Sequence, residues 1–313
     1  MNLFGPKIIK MNNIHSINMG ENEKLIVCAF YKYVQINQSD EFVKQHLDFC
    51  IKLGIKGRIL IGFEGINGSV CGNKKQIEEY KNKLRKNHLF ENIDFKEQET
   101  KTQAFRKMFV RQRNEIVHSS LKADLNKTAK FIEPSEVNEM IENEDVVMLD
   151  VRNNYESRIG RFKNSVCLDI INFRDLPRSL NQISHLKDKK IITYCTGGIR
   201  CEKASAFLKE NGFNDVYQIK GGILNYGIKF PDSHWIGNCF VFDDRIQVKI
   251  NSKDDPLNEC SWCSKKIDEY ENCHNLNCDK LFVCCESCSE KYNHSCSETC
   301  IQSKERRRVP VHR

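Results

Sequence analysis

The chain reads as a multidomain α/β protein with a ferredoxin-like α+β unit over residues 24–123, a small parallel-sheet α/β unit over 131–230 and a cysteine-rich unit over 239–300. Three observations predict it. Strand and helix patterns alternate through the N-terminal third. Continuous apolar runs, the mark of strands buried on both faces, recur through the middle. Nine of the sixteen cysteines crowd between Cys260 and Cys300. At 313 residues the chain is long enough to bury two or three separate cores.

In the first unit, Leu25 to Tyr31 has strand composition, and Asp40 to Leu53 carries Phe42, Val43, Leu47, Cys50, Ile51 and Leu53 at helical spacing. Arg58 to Ile61 is a second strand, and Gly65-Ile66-Asn67-Gly68 is a tight connection into Ser69-Val70-Cys71, because Asn and Gly accept the positive φ of a hairpin turn. Lys74 to Lys86 is a basic amphipathic helix with Ile77, Tyr80 and Leu84 inward. Phe109 to Val117 then completes a β-α-β-β-α-β order, that of a ferredoxin-like sandwich.

Asp124 to Lys130 is polar and aperiodic, which places a boundary there. In the second unit Pro134-Ser135-Glu136 opens a helix bearing Val137, Met140 and Ile141. Val146 to Val151 is a buried parallel strand, followed by Arg152-Asn153-Asn154-Tyr155-Glu156 at the carboxyl edge of the sheet, where sites form in open α/β folds. Arg152 and Glu156, four residues apart, are predicted to pair and brace that edge. Further strands are Ser165 to Leu168, Lys190 to Tyr194 and Asp215 to Ile219, with helices between them to about Phe230.

The most informative run is Tyr194-Cys195-Thr196-Gly197-Gly198-Ile199-Arg200-Cys201, set between an apolar strand and a helical pattern at Ala204 to Lys209. It presents Cys195 at a strand-to-helix turn. Two glycines let successive N–H groups turn inward and the helix N-terminus adds partial positive charge, so a thiolate is favoured over a thiol. Thr196, Gly197, Gly198, Ile199 and Arg200 form the candidate active-site loop around the candidate nucleophile, Cys195. A buried strand-end cysteine, the plainer alternative, gives the glycine pair and Arg200 no purpose. The spacing C-x4-R is one residue shorter than the C-x5-R of cysteine phosphatases and suits a sulfur better than a tetrahedral phosphate. Cys201 is positioned to resolve an oxidised or persulfidated Cys195, or simply to pack in the helix.

The formal charge of +7 is unevenly spread. Phe105 to Lys122 holds five cations against Glu115, and Lys304 to Arg313 holds five against Glu305. Arg106, Arg111 and Arg113 are the candidate contacts to an RNA backbone. Met1 to Gly20 lacks an apolar core and arginine, which argues against a secretory or organelle-targeting segment, and no run approaches the roughly eighteen apolar residues of a membrane span. A reduced cytoplasm follows, and clustered cysteines then read as metal ligands rather than disulfides. The candidate ligands are Cys260, Cys263, Cys273, Cys278, Cys284, Cys285, Cys288, Cys296 and Cys300, with His274 and His294 nearby. Thiolate pairs at such spacing suit one or two structural Zn²⁺ ions.

Asp150-Val151-Arg152, the Cys195 to Arg200 loop and Gly221-Gly222-Ile223 together resemble the rhodanese fold. Ala29-Phe30-Tyr31-Lys32-Tyr33, Lys56-Gly57-Arg58-Ile59-Leu60, Glu64-Gly65-Ile66-Asn67-Gly68, Ile219-Lys220-Gly221-Gly222-Ile223 and Cys239-Phe240-Val241-Phe242-Asp243-Asp244-Arg245 narrow this further. Over residues 24 to 300 the chain resembles the oxygen-dependent tRNA uridine hydroxylases. That resemblance implies an oxidoreductase that hydroxylates the wobble uridine in the tRNA anticodon loop at C5, giving 5-hydroxyuridine. It also implies molecular oxygen as co-substrate, an unidentified reductant, and Cys195 as the essential cysteine. Gly62-Phe63 and the proline-free stretch Cys167 to Ile170 depart from the family pattern, and residues 1–23 and the arginine-rich tail 301–313 lie outside it. No flavin or nicotinamide fingerprint is present. The loop by itself also fits a sulfurtransferase carrying a persulfide on Cys195, and the basic and cysteine-rich segments also fit a non-catalytic RNA-binding scaffold.

Overall fold

The computed structural model describes residues 24–251 and 256–307, so the 1–23 extension and the end of the basic tail lie outside the described residues. The first unit comprises β1 (Leu25–Tyr33), α1 (Ser39–Leu53), β2 (Lys56–Gly62), β3 (Gly65–Asn73), α2 (Lys74–Arg85), β4 (Asp94–Thr100) and β5 (Met108–Gln112). The sheet order is β4-β1-β3-β2-β5. Its first four strands are antiparallel neighbours in ferredoxin-like order, and β5 is added parallel to β2.

Two elements differ from the reading of the sequence. The fourth strand is Asp94–Thr100, not Phe109–Val117. Asp94-Phe95-Lys96-Glu97-Gln98-Glu99-Thr100 is an edge strand paired only with β1, so it carries no apolar run, and Phe95 alone packs on the core, edge-on to Phe30 at 5.5 Å. The hairpin turn is Phe63-Glu64, and Gly65 to Gly68 already belong to β3. Gly65 adopts φ +145°, and a Cβ there would stand 2.1 Å from the Lys32 carbonyl, so the glycine serves close strand approach.

Both helices cover one face of this sheet. Phe30, Ile59, Ile61, Ile66, Val70, Ile77, Tyr80 and Leu84 form the core there. α2 starts with a reciprocal cap: Gln76 N donates to Asn73 Oδ1 (2.9 Å) and Asn73 N donates to Gln76 Oε1 (2.8 Å). The opposite face carries the alternate residues of each strand, among them Val27, Ala29, Tyr31, Arg58 and Lys96, and is covered by the second unit.

That unit runs β6 (Lys130–Ile132), α3 (Pro134–Asn143), β7 (Val146–Asp150), α4 (Asn154–Ile159), β8 (Gly160–Phe162), β9 (Val166–Cys167), α5 (Leu176–Ile183), β10 (Lys190–Tyr194), α6 (Ile199–Glu210), β11 (Asp215–Ile219) and α7 (Gly222–Lys229). The parallel sheet has order β6-β11-β10-β7-β9. β10 is central, and Ile191 to Tyr194 are wholly buried, which is why it reads as an unbroken apolar run. The short strand β6, three residues with one buried, carries too little pattern to be read from sequence.

β12 (Trp235–Phe240) pairs with β8 and with β13 (Gln247–Lys249), and Trp235 packs edge-on to Phe162 at 5.4 Å. The last unit holds the hairpin β14 (Tyr270–Asn272) and β15 (Leu281–Val283), then α8 (Glu286–Lys291) and α9 (Glu298–Ile301). Its core is mostly cysteine, with Phe282 and a stacked Trp262–Tyr292 pair at 3.9 Å. Among the described residues, no helix is long and apolar enough to cross a membrane.

One buried histidine gives this fold a pH signature. His46 Nε2 lies 2.9 Å from Tyr80 Oη, and burial lowers its pKa to about 4. The unfolded chain takes up a proton near the ordinary value of about 6.5, which the native chain refuses until about 4. The stability due to neutral His46 is therefore complete above about pH 6.5 and is lost as pH falls toward 4. Denaturation curves of wild type and His46→Gln between pH 7 and 4 should show a smaller acid destabilisation in the variant; parallel curves would refute this.

Candidate active site

Cys195 stands at the end of β10, and its Sγ accepts a hydrogen bond from Gly198 N at 3.1 Å. Gly198, at φ +98°, is the N-cap of α6, so the chain reverses in a left-handed residue and the amides of the first turn face the sulfur. The loop backbone is held by a second glycine pair. Ile223 N donates to Cys195 O (3.0 Å) and Leu224 N to Thr196 O (3.1 Å). Gly222, at φ +66°, has no room for a side chain: a Cβ would lie 2.4 Å from Cys195 O and 2.7 Å from Gly198 N.

The charges around the loop are paired and buried. Arg200 donates to both carboxylate oxygens of Glu156, at 2.5 and 2.7 Å. Glu156 is thus the partner of Arg200, not of Arg152 as its sequence spacing suggested. Arg152 turns instead to Asp150 (Nε–Oδ1 2.8 Å, Nη2–Oδ2 2.6 Å) and to the Gly160 carbonyl (2.6 Å). The reason is α4: its first turn carries Glu156 away from Arg152 and toward the loop. Burial alone would raise the Cys195 pKa. The Cys201 thiol, the Arg200 charge and the amides of Arg200 and Cys201 outweigh it and lower the pKa to about 5. Cys201 moves the other way, raised by burial and by the adjacent Cys195.

Cys195, Thr196, Gly197, Ile199 and Arg200 form the floor of a cavity of about 390 Å³. Its roof is the helix-free face of the first sheet, with Tyr31, Arg58, Asn67 and Lys96. Phe173, Phe242 and Arg245 close its sides. The sequence assigns this unit to tRNA binding but does not single out Tyr31, Arg58 or Lys96 as site residues. Lys96, buried with its Nζ 3.0 Å from Asp94 and 5.3 Å from the centre of the Tyr31 ring, had one signal: a lysine at an inward strand position. Glu202, behind the loop, is another missed group; burial raises its pKa to about 7, against a hydrogen bond from Tyr31. Its position in the first turn of α6 offered no signal.

The two units meet beside this cavity. Lys203 Nζ bonds Glu64 (2.9 Å) and Glu115 (2.8 Å), and Tyr33 Oη donates to Ile199 O (3.3 Å). Arg106, Arg111 and Arg113 are all exposed. Arg106 faces Asp244 at 3.5 Å, Arg111 lies over the Phe109 ring at 5.0 Å, and Arg113 donates to Gln112 O. None of the three lines the cavity.

Eight of the nine clustered cysteines gather in two groups of four, Cys260, Cys263, Cys285 and Cys288, and Cys273, Cys278, Cys296 and Cys300. Within each group the sulfurs lie within 4.8 Å of one another. Each group could hold a metal ion: four soft donors converge with no competing ligand. Cys284 belongs to neither, and its Sγ faces Cys285 O at 3.6 Å. His274 and His294 stack on each other at 4.4 Å, and His294 Nδ1 meets Ser289 and Glu271 instead of joining a group.

Family models match all three units: a UPF0176 acylphosphatase like domain over residues 25–116, a rhodanese-like domain over 133–229 and a rhodanase C-terminal domain over 236–301. A tRNA uridine(34) hydroxylase of Cytophaga hutchinsonii is 43% identical over 284 residues, covering 90% of this chain and 91% of that protein. One of Bacillus licheniformis is 41% identical, covering 88% and 87%. The chain belongs to the tRNA uridine(34) hydroxylase family. A crystallised rhodanese-related protein of Thermoplasma volcanium is 27% identical with a TM-score of 0.28, covering 32% of this chain and 92% of that one. The family-model matches extend beyond the Cys195 loop and include the sheet that roofs the cavity.

The electrostatics of the loop can be measured directly. Alkylation of Cys195 by a small electrophile should be independent of pH above about 6 and fall as pH drops through about 5. In the double variant Glu156→Gln/Arg200→Gln, which leaves no orphaned charge, the inflection should move upward by at least one pH unit. An unmoved inflection would show that Arg200 does not set the thiolate.

Proposed function

We propose that the cavity holds the wobble uridine of a tRNA and that Cys195 is the reacting sulfur of its oxygen-dependent hydroxylation to 5-hydroxyuridine. The observation that carries this is a cysteine with lowered pKa on the floor of a largely apolar cavity of nucleoside size, under a roof bearing Tyr31, Asn67 and Lys96. A thiolate adds readily to C6 of uracil, and that addition gives C5 enolate character, the carbon that gains oxygen. One atom of O₂ enters the C5–H bond and the other leaves as water, so a two-electron reductant and two protons are consumed. Arg200, fixed by Glu156, and the loop amides hold negative charge on the sulfur before addition and when it is released. Lys96 and Asn67 are placed to meet the uracil oxygens.

The base must leave the anticodon loop to enter, which costs least for an unpaired nucleotide. Exposed Arg106, Arg111 and Arg113 meet the tRNA backbone and make binding weaken with salt. Persulfide transfer would use the same loop but gives the roof of the cavity no role, and it is not favoured. The sixteen unpaired cysteines suit a reducing cytoplasm. Zn²⁺ fits both cysteine groups and would supply the cross-links that the last unit, poor in other apolar side chains, otherwise lacks.

In cells lacking the native gene, Cys195→Ser should restore no 5-hydroxyuridine in tRNA, read by nucleoside mass spectrometry, while its melting curve stays that of wild type. Full restoration would remove Cys195 from the reaction.

Elemental analysis of protein purified under reducing conditions should give two zinc ions per chain. Cys284→Ser should keep both and Cys263→Ser should lose one. Zinc-free protein with an ordered C-terminal unit would overturn this reading.

A further inference from the structure

Beside the catalytic cavity lies a second groove of about 370 Å³, in the size range of ligand pockets. One wall is an aromatic series: Tyr155 and Phe240 meet edge-to-face at 5.3 Å, and Phe240 and Phe242 at 5.0 Å. The opposite wall is the hairpin of the cysteine-rich unit, through the paired residues Asn272 and Leu281. Arg58, Val241, Phe242 and Asp243 line both the groove and the cavity, so the two adjoin at these residues. Phe242 is 53% exposed although its ring packs against the Arg200 guanidinium at 5.5 Å, an unusual position for a large apolar side chain with a core nearby.

The charges state what fits. Both carboxylates of the groove are already matched: Asp243 by Arg245, at 2.7 and 2.8 Å, and Asp279 by Arg307. Arg58 is exposed and has no ion-pair partner among the described residues. The ligand side is therefore aromatic faces plus one free guanidinium, placed at the junction of the two compartments. That junction is where the phosphodiester between two adjacent nucleotides would pass if one base occupied the cavity and its neighbour the groove.

We infer that this groove binds, by stacking, the base of the nucleotide flanking the reacting uridine, and that Arg58 pairs with the phosphate between them. The inference rests on the reading of the cavity as the uridine site. It gives the cysteine-rich unit a part in the RNA site, as the wall that closes the groove, and it makes Tyr155, Phe240 and Arg58 positioning residues.

The test uses the full chain and anticodon stem-loop RNAs carrying 2-aminopurine immediately before or immediately after the reacting uridine. On binding, the fluorescence at one of the two positions should fall as the base stacks on an aromatic ring. Phe240→Leu and Tyr155→Leu, which keep apolar volume but remove the rings, should abolish that change and weaken binding roughly five-fold or more. Arg58→Gln should weaken binding and lower its salt dependence by about one phosphate contact. The rate of Cys195 alkylation, which reports the loop, should be unchanged in Phe240→Leu and Tyr155→Leu. RNAs that are bound and hydroxylated with no fluorescence change at either position would overturn the groove alone, as would both leucine variants behaving as wild type. RNAs neither bound nor hydroxylated by the wild-type chain would overturn the uridine reading itself, and the groove with it.

Discussion

The buried ion pair between Arg200 and Glu156 is the interaction on which the candidate active site depends. Arg200 lies in the first turn of the helix that follows the loop, and Glu156 lies in the first turn of the helix that follows the neighbouring strand. Their double hydrogen bond therefore ties two carboxyl-edge segments of the parallel sheet together beside the Cys195 loop. Removing one partner would strand a charge in the interior, at a cost of about 3–5 kcal/mol. Because the carboxylate is fully engaged, the guanidinium stays in place and its field acts on Cys195. The adjacent Asp150–Arg152 pair, wholly buried as well, holds the turn from which Glu156 departs.

The second requirement is a roof. A ferredoxin-like sheet with helices on one face leaves its other face in need of cover, and the rhodanese unit supplies it. Direct bonds close the junction: Lys203 sits between two carboxylates of the first unit, and Tyr33 reaches the first residue of α6. The cavity persists between them because the loop that forms its floor is mostly backbone. Gly222 lets that backbone lie against α7, and Gly198 leaves space for the Tyr31 hydroxyl, which a Cβ would meet at 3.1 Å.

The cysteine-rich unit is built on a different balance. Most of its buried side chains are cysteines, and the rest of its interior amounts to Phe282 with Trp262, Ile267 and Tyr292 packed against it. So small an apolar set seldom holds a unit of that size, whereas two four-sulfur groups, each holding a metal ion, would fix its loops at points far apart in sequence. Cys273 follows Asn272 directly, so a metal held by the second group would also anchor the hairpin that faces the groove.

Much of this was legible along the chain. The central strand β10, the reactive loop after it and the helix α6 follow from a local pattern: an apolar run, two glycines, then a helical period. The concentration of cysteines needed no more than counting. Local order failed where pairing partners decide structure. β4 is polar because it lies at an edge, β6 is too short to carry a period, and the true hairpin turn is Phe63-Glu64 because the Gly65 strand pairs closely with its neighbours. By itself the sequence determined where the candidate nucleophile Cys195 stands, at a strand-to-helix turn, since strand, turn and helix N-terminus are consecutive and their effect on a thiol is local. Only the tertiary structure decided the partner of Arg200, the roof over Cys195 and the division of nine cysteines into two groups and Cys284. Each of those depends on charges, faces or sulfurs brought together from distant segments, and spacing along a chain does not encode distance across a fold.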